Sequence, residues 1–590
     1  MIKMTRPDQR FDAPPRLTEN ARTVLERRYL WRDEKGALSE TPAELFARVA
    51  QAVAAPEMHD RAHWADRFYS VMASLRFLPN TPTLMNAGGA GARGGQLSAC
   101  FVLPIEDSLG SIFDSLKFAA LIHQSGGGTG FSFSKLRPKG SPVGRAQGIA
   151  SGPVSYIRVF DAATEAIKQG GARRGANMAV LRVDHPDILE FIDSKRDKRS
   201  VGNFNISVGV TDEFMNSATA TGGAPQARFF LRDPRSGEKV QEVRAAELFD
   251  RIVRAAWDCG DPGLVFLDRI NEFNPTPNEG PIESTNPCGE QPLLPYESCN
   301  LGSLNVLEYF SEAGFDWDRY REDIRLAVRF LDNVIDVNFY PVEACRTITL
   351  KNRKIGLGVM GFADLLLMMG LPYGSEDARA FGEKLMRVLN TEAKEYSAVL
   401  ARERGAFPNW HDSLWRRRGL PPLRNATVST VAPAGTISII AGVSSGIEPI
   451  FAAAYYRNIL SGARLLEVHP AVARALGTRP VARVDDRGRP LTARAVDEEL
   501  GRALGTAWTP ARRVSVEDHV KMQAAFQRHC DAAVSKTINL PESSGPEEVL
   551  RAYRLAYELG CKGVTVYRDR SRTEQVLESA PDDVGVCSSC

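Results

Sequence analysis

The stretch TNPCGEQPLLPYESCN, residues 285–300, carries the densest chemistry in the chain. Asn286 and Glu290 lie two residues to either side of Cys288, and Cys299 closes the segment. The prolines and the glycine around Cys288 exclude a regular helix and indicate a rigid loop. If the loop is extended, alternate residues share one face, and the amide, thiol and carboxylate point the same way. That pattern indicates a catalytic site, although a lone cysteine is more often buried and inert.

Composition excludes several classes of function. The 590 residues include 74 Lys plus Arg and 72 Asp plus Glu, a balance that favours neither nucleic acid nor an anionic membrane as a partner. No apolar run reaches about 18 residues, and the N-terminus lacks the apolar core of a signal peptide. The nine cysteines are spread without dense spacing, which indicates reduced thiols and a cytoplasmic location.

The order of predicted elements indicates the architecture. Helical periodicity fills residues 17–80, and short apolar strands such as ACFVLPI, from Cys100, then alternate with helices such as AAELFDRIVRAAWDC. This alternation predicts a mainly parallel α/β fold. We divide the chain into an N-terminal helical region (1–80), a main domain (81–575) with a peripheral insertion at about 461–513, and a tail (576–590).

Three local patterns in the main domain indicate ligand contacts or helix ends. The glycines of SGGGTGFSFSKLR (125–137) permit close approach of a ligand, or they simply form a tight turn. STVAPAGTISIIAG (429–442) predicts a strand and then a helix start that binds phosphate through its N–H groups. IRVFDAATEAIKQGG (157–171) predicts a helix that ends at glycine, and Asp107 or Ser108 should cap the helix that follows them.

The tail ends in Cys587-x-x-Cys590. A single CxxC cannot complete a tetrahedral zinc site, so we expect no metal and favour a dithiol that exchanges electrons. An unused tail, or half of a zinc site completed by another chain, remains the alternative.

The other cysteines suggest what such a tail would serve. If Cys100 and Cys299 come together beside Cys288, the site has one central thiol and a two-electron dithiol that the tail could reload. A thiol with acid–base help and two reducing equivalents indicates a reduction rather than a hydrolysis.

With these residues, the chain resembles the catalytic chain of ribonucleotide reductase, most closely the adenosylcobalamin-dependent class, over roughly residues 17–575. The motifs are SACFVLP, SGGGTGFSFSKLRPKG, IKQGGARRGANMAVLRVDHPDILEFI, NPCGEQPL, APAGTIS and GCKGVTVYRDRSR. The resemblance implies a ten-stranded α/β barrel with a finger loop, about 281–300, that carries the radical cysteine into its centre.

The resemblance also implies roles for the site residues. Cys288 would be the thiyl radical site that abstracts the 3′ hydrogen of the ribose. Glu290 would act as base for the 3′ hydroxyl, and Asn286 would hydrogen-bond the ribose hydroxyls. Cys100 and Cys299 would reduce the substrate radical and finish as a disulfide.

Two further groups of residues are implied to bind nucleotides. The substrate group is Thr81, Ala99, Gly128, Ala434, Gly435, Thr436, Ile437 and Ser438, with the phosphates at 434–438. The group for deoxynucleotide effectors is Asp107, Ser108 and Arg137, at a homodimer interface, with communicating loops at 138–152 and 195–204. The resemblance further implies that the substrates are diphosphates and that a thioredoxin- or glutaredoxin-type protein is the reductant. Helices begin at about residue 17, which implies regulation of specificity without regulation of overall activity.

Departures from the family pattern bear on the class. Tyr567 is followed by Arg568, which breaks the tyrosine pair that carries a radical from a partner subunit in the aerobic class. Asp184-His185-Pro186 does not fit the motif for a lower axial histidine. Two alternatives stay open: a catalytic subunit that needs a separate radical-generating subunit, and a non-catalytic nucleotide-sensing relative. The other cysteines, Cys259, Cys345, Cys530 and Cys561, are predicted to be structural.

Overall fold

The computed structural model describes residues 14–89, 95–143, 148–167, 175–197, 199–219, 227–459, 463–476, 493–571 and 577–579. The N-terminal region is helical, as predicted, with helices Glu19–Arg28, Pro42–Val53 and Arg61–Ala73. Thr41 forms a capping box with Glu44 at the start of the second helix. The end of the region differs from the prediction, since Phe77–Pro79 is a strand of the main sheet.

A ten-stranded sheet forms the centre of the molecule. Its strands are β1 (Phe77–Pro79), β2 (Cys100–Leu103), β3 (Gly128–Ser132), β4 (Asn177–Arg182), β5 (Phe204–Val210), β6 (Gly263–Phe266), β7 (Ser298–Asn305), β8 (Ile355–Met360), β9 (Thr537–Leu540) and β10 (Gly563–Arg568).

The sheet consists of one five-stranded parallel set, two parallel pairs that each join this set antiparallel, and β1, which pairs antiparallel with β7. Strands β2 to β6 are parallel neighbours in chain order. The parallel pair β9–β10 joins β6 antiparallel, and β7, with β8 parallel beside it, joins β2 antiparallel. Isolated bridges from Leu357 to Ser429 and from Val431 to Val534 continue from β8 toward β9, which brings the two edges together. The predicted ten-stranded α/β barrel is therefore confirmed.

Helices cover the barrel. In chain order they are Thr81–Asn86, Leu109–Gln124, Pro153–Ala166, Ile188–Asp193, Asp212–Thr219, Ala245–Cys259, Leu267–Glu272, Trp317–Val337, Glu343–Asn352, Phe362–Met368, Glu376–Arg404, Leu414–Arg417, Gly435–Ala441, Pro470–Leu476, Ala493–Leu504, Val516–Gln527 and Pro546–Glu558. Alternate strand residues such as Phe131, Ala179 and Ile206 share a core with these helices. Among the described helices, none combines the length and the apolar character that crossing a bilayer requires.

Some local predictions need correction. The helix predicted over 157–171 ends at Ala166 with Ile167 as its cap, and the glycines that we expected to end it lie outside the described residues. Over 429–442, the predicted strand is reduced to two isolated bridges. Ser429 pairs only with Leu357, and Val431 pairs only with Val534. The helix there begins at Gly435. The loop at 138–152 contains a short exposed hairpin, Pro142–Val143 with Gly148–Ile149.

Four further small sheets complete the described structure. They are Arg228–Arg232 with Lys239–Arg244, Ser284–Thr285 with Pro292–Leu293, Phe310–Ser311 with Gly314–Phe315, and Ala454–Ile459 with Ala463–Val468 and Leu577–Ser579.

Candidate functional site

The finger loop is a short hairpin with a closed tip. Its stems, Ser284–Thr285 and Pro292–Leu293, pair antiparallel. At the tip, the Gly289 N–H donates to the Asn286 carbonyl at 3.1 Å, and Gly289 has φ +82°. Pro287 and Cys288 therefore occupy the middle of a β-turn. The tip is therefore a tight loop, as predicted, and not the extended segment that we considered for its side chains; the Asn286 Oδ1 also accepts the Gln291 N–H (2.9 Å) and closes it.

The turn nevertheless brings the three predicted side chains to one cavity of about 240 Å³. Asn286, Cys288 and Glu290 all line it, together with Cys100. Asn286 and Glu290 are buried, whereas Cys288 is exposed at the tip. A thiol open to the cavity beside a buried carboxylate and a buried amide can exchange hydrogen with a ligand there.

Most of the predicted substrate contacts line the same cavity. They are Thr81, Ala99, Gly128, Ala434, Gly435, Thr436 and Ile437. Ser438 is not among the lining residues, and its substrate contact stays a prediction. Its buried hydroxyl lies 3.1 Å from both the Gly435 carbonyl and the Ser445 hydroxyl, because the helix that begins at Gly435 turns it away from the cavity.

Sequence reasoning missed Arg28. It belongs to the first helix, for which the sequence predicted helical periodicity and no role in the site, and it lines the cavity. Its Nη1 lies 3.4 Å from the Thr436 Oγ1, and the neighbouring Tyr29 hydroxyl lies 2.8 Å from the Thr81 Oγ1. The N-terminal helices therefore supply one wall and a positive charge. No local pattern marks Arg28, since its helix has ordinary helical periodicity.

Backbone contacts hold the finger loop inside the barrel. The Glu290 carbonyl accepts the Ala533 N–H (2.8 Å) and the Thr430 hydroxyl (3.0 Å). The Asn205 amide donates to the Pro287 carbonyl at 2.7 Å. At Gly130 on β3, a Cβ would lie 1.8 Å from the Thr285 carbonyl oxygen. Only glycine allows the loop to approach this strand so closely.

Gly130→Ala should displace the finger loop and reduce turnover by about 100-fold, since a shift of about 1 Å at a reacting group has that scale of effect. Steady-state rates of product formation measure this. Gly110→Ala is the matched control, because a Cβ at Gly110 meets no atom within 4 Å. Equal rates for the two variants would contradict the role that we give to Gly130.

The strand register brings Cys100 and Cys299 together. They are directly opposite partners on the antiparallel pair β2–β7. Such partners have Cα atoms about 4.5–5.5 Å apart, within the range that a disulfide spans. Both cysteines are buried thiols that form no disulfide, and the Asn286 amide lies 3.1 Å from the Cys100 sulfur. Burial raises the pKa of Cys299 well above its ordinary value, so the protonated thiol is its stable form.

The predicted effector residues are also adjacent. The Arg137 Nε lies 2.8 Å from one Asp107 carboxylate oxygen and 3.1 Å from the other, and the Arg137 N–H donates to the same group at 3.1 Å. Ser108 caps the helix Leu109–Gln124 by accepting the Ser111 N–H at 3.3 Å. The structure therefore leaves Asp107 in an ion pair and assigns the cap to Ser108.

The remaining sequence candidates lie away from this cavity. Burial raises the pKa of Cys345, Cys530 and Cys561 to about 12 each, and it also raises the pKa of Cys259. Their structural role stays a prediction. The tail cysteines, Cys587 and Cys590, lie outside the described residues.

His185 makes local contacts through both ring nitrogens. Its Nε2 lies 2.8 Å from the Leu136 carbonyl, and its Nδ1 accepts the Asp187 N–H at 3.0 Å. The ring therefore has a packing role, in agreement with the absence of an axial-ligand motif around it.

An α/β barrel with a thiol-bearing finger loop and a facing pair of thiols defines the class of thiol-dependent reductases. Family models match nearly the whole chain: the all-alpha domain of ribonucleotide reductase over residues 15–92, and its barrel domain over residues 98–422 and 419–567. The chain belongs to the ribonucleotide reductase family.

Curated relatives agree with this assignment. A vitamin B12-dependent ribonucleoside-diphosphate reductase of Thermoplasma acidophilum is 47% identical over 95% of this chain and 80% of its own. A protein of the same name from Mycobacterium tuberculosis is 48% identical over 96% and 81%. A vitamin B12-dependent ribonucleotide reductase of Streptomyces clavuligerus is 31% identical over 85% and 59%. The resemblance predicted from the motifs is confirmed at the level of the family.

Proposed function

We propose that this chain reduces ribonucleotides, preferably diphosphates, to 2′-deoxyribonucleotides, with adenosylcobalamin as cofactor. The observation that carries the proposal is the meeting of Cys288, Asn286, Glu290 and Cys100 at one cavity, with Cys299 opposite Cys100. The names of the relatives at 47% and 48% identity support the cofactor and the diphosphate.

The thiols and the carboxylate of the site divide the steps of this reaction, and Asn286 would hold the ribose hydroxyls. When bound, the cofactor would supply a carbon radical by homolysis of its cobalt–carbon bond, and the Cys288 thiol would give its hydrogen atom to that radical. Cys288 then takes the hydrogen atom from C3′, and Glu290 accepts the proton of the 3′ hydroxyl. The 2′ hydroxyl leaves as water, while Cys100 and Cys299 supply two electrons and two protons and become a disulfide. Cys288 finally returns its hydrogen to C3′, and Glu290 returns its proton to the 3′ oxygen.

A second cavity supports the cofactor assignment. It has about 240 Å³, and Cys288 borders it as well as the substrate cavity. Gln523, Lys536 and Thr565 line it and offer hydrogen-bonding groups of the kind that a nucleoside requires. Burial lowers the pKa of Lys536, while its ammonium contacts Glu448 at 2.6 Å. We assign this cavity to the adenosyl portion of the cofactor, so that Cys288 separates cofactor from substrate.

The test is reconstitution from a single polypeptide. The purified chain, adenosylcobalamin, dithiothreitol, a ribonucleoside diphosphate and a deoxynucleotide effector should form deoxynucleotide, and omission of the cofactor should stop the reaction. A parallel assay with the triphosphate tests the substrate preference. Product that appears only after addition of a radical-generating subunit would reject the cofactor assignment and support the class I alternative.

We also propose that the chain works as a homodimer with effectors at the interface. The helix that Ser108 caps exposes Leu109 (63%), Phe113 (50%) and Leu121 (40%), and exposed apolar side chains on one helix favour a partner surface.

A thioredoxin- or glutaredoxin-type protein would reduce the tail cysteines. The reduced thiols that the reaction needs favour the cytoplasm.

Asp107→Ala should remove control by the effector, because Arg137 loses the carboxylate that orients it. Allosteric coupling typically changes substrate preference by about 5- to 150-fold, and that change should fall to about one in the variant. The ratio of products from mixed substrates, with and without effector, measures it. Asp114→Ala is the control on the same helix, since Asp114 is exposed and pairs with Lys117. A normal effector response in Asp107→Ala would exclude this site.

A further inference from the structure

A basic cavity of about 420 Å³ lies outside the finger-loop site and shares no lining residue with the substrate cavity. Six lysine or arginine side chains line it: Arg269, Arg387, Lys394, Arg418, Arg528 and Lys562. Asp531 is the single carboxylate among its described lining residues. Since the whole chain has 74 basic and 72 acidic residues, this six-to-one ratio is a local concentration of positive charge.

Nearby carboxylates balance only some of these charges. Lys394 pairs with Asp531 (2.6 Å), Arg528 with Glu383 (2.6 Å), and Arg269 with Glu272 (2.8 Å). Within the described ranges, Arg387 and Arg418 make no ion pair with a carboxylate. Arg418 lies instead over the rings of Phe273 and Trp415, 5.1 and 5.8 Å from their centroids.

Lys562 is the buried member of the group, with 5% of its surface exposed. Its ammonium donates to the carbonyls of Asp531 (2.6 Å) and Ala532 (2.9 Å). These two bonds use two of its three N–H donors and leave one for a ligand. Burial lowers the pKa of Lys562 to about 8, so an anion in the cavity would stabilise its charged form.

The lining of this cavity continues into the backbone that supports the finger loop. The carbonyls that Lys562 binds belong to Asp531 and Ala532, and the next residue, Ala533, donates its N–H to the Glu290 carbonyl at 2.8 Å. A ligand bound at Lys562 would therefore be connected to the finger loop through the hydrogen bonds of residues 531–533.

We propose that this cavity binds a phosphate group, either as free pyrophosphate or as the diphosphate of a nucleotide. Guanidinium groups form paired hydrogen bonds to phosphate oxygens, and a lysine adds a point charge. The volume lies within the range of small-molecule pockets, roughly 300–1,000 Å³. The competing interpretation is a solvated basic surface, since Arg387 and Arg418 are both exposed.

Isothermal titration of the full chain with inorganic pyrophosphate tests the proposal. The double substitution Arg387→Gln with Arg418→Gln should weaken pyrophosphate binding by about tenfold or more, the scale of losing charged hydrogen bonds. The substrate cavity contributes equally to both proteins, because neither arginine lines it. Arg417→Gln is the matched control, since Arg417 is exposed beside Arg418 and does not line the cavity. Unchanged thermal unfolding confirms that the variants fold.

A second titration, with ADP, identifies the source of the phosphate. If the double variant loses affinity for both probes, the ligand is a nucleotide. If it loses affinity for pyrophosphate alone, the ligand is the free anion. Equal binding of both probes by the wild type and the double variant would overturn the proposal and leave a solvated basic surface.

Discussion

Cys288→Ser should abolish deoxyribonucleotide formation, with a loss of at least about 10⁴-fold, or about 5 kcal/mol in activation free energy. The O–H bond of serine is much stronger than the S–H bond of cysteine, so the serine oxygen cannot serve as the radical carrier. Cys288 is exposed at the tip of the finger loop, and the substitution leaves the core packing unchanged. Chromatographic assay of deoxynucleotide over time measures the loss.

Two controls make this result specific. Thermal unfolding of Cys288→Ser should match that of the wild type, and so should its affinity for the ribonucleoside diphosphate, because the walls of the cavity are unchanged. Turnover within tenfold of the wild type would show that another residue carries the radical. Inactive wild-type protein that still binds effectors would instead favour the non-catalytic nucleotide-sensing alternative.

Cys299→Ala should stop multiple turnover, with a steady-state rate reduced by at least about 10³-fold, or about 4 kcal/mol in activation free energy. Without this thiol, Cys100 has no opposite partner on β7 with which to form a disulfide. Product should stay below one equivalent per chain, even with excess dithiothreitol. Counting product molecules per chain in a single-turnover experiment measures the effect.

Cys345→Ala is the matched control for Cys299→Ala. Both thiols are fully buried and lose the same atom, so the two substitutions have a similar packing cost. Cys345 does not line the substrate cavity, and its variant should turn over at close to the wild-type rate. Labelling of free thiols gives a second readout: one turnover without reductant should remove a pair of thiols from the wild type and none from Cys299→Ala. Loss of thiols in that variant would contradict the assignment of the pair.

Local sequence patterns were enough to predict the fold class and to propose most of the chemistry of the site. Alternation of apolar strands and amphipathic helices is a local pattern, and it predicted the α/β architecture. The prolines and glycine around Cys288 are also local signals, and they indicated a loop before any contact was known. The motifs of the family assigned roles to Asn286, Glu290, Cys100 and Cys299, because each motif keeps its chemical groups within a few residues.

The contacts between these site residues could be seen only in the folded chain. The tip of the finger loop is a turn because Asn286 hydrogen-bonds across it, which residue spacing alone could not distinguish from an extended strand. Cys100 and Cys299 face each other through the register of two strands far apart in the chain. Arg28 enters the cavity from a helix that carries no signal of function, and the need for glycine at position 130 appears only where the loop meets β3. These contacts are non-local: they depend on backbone pairing across the barrel, and the periodicity of a single segment carries no information about its partner.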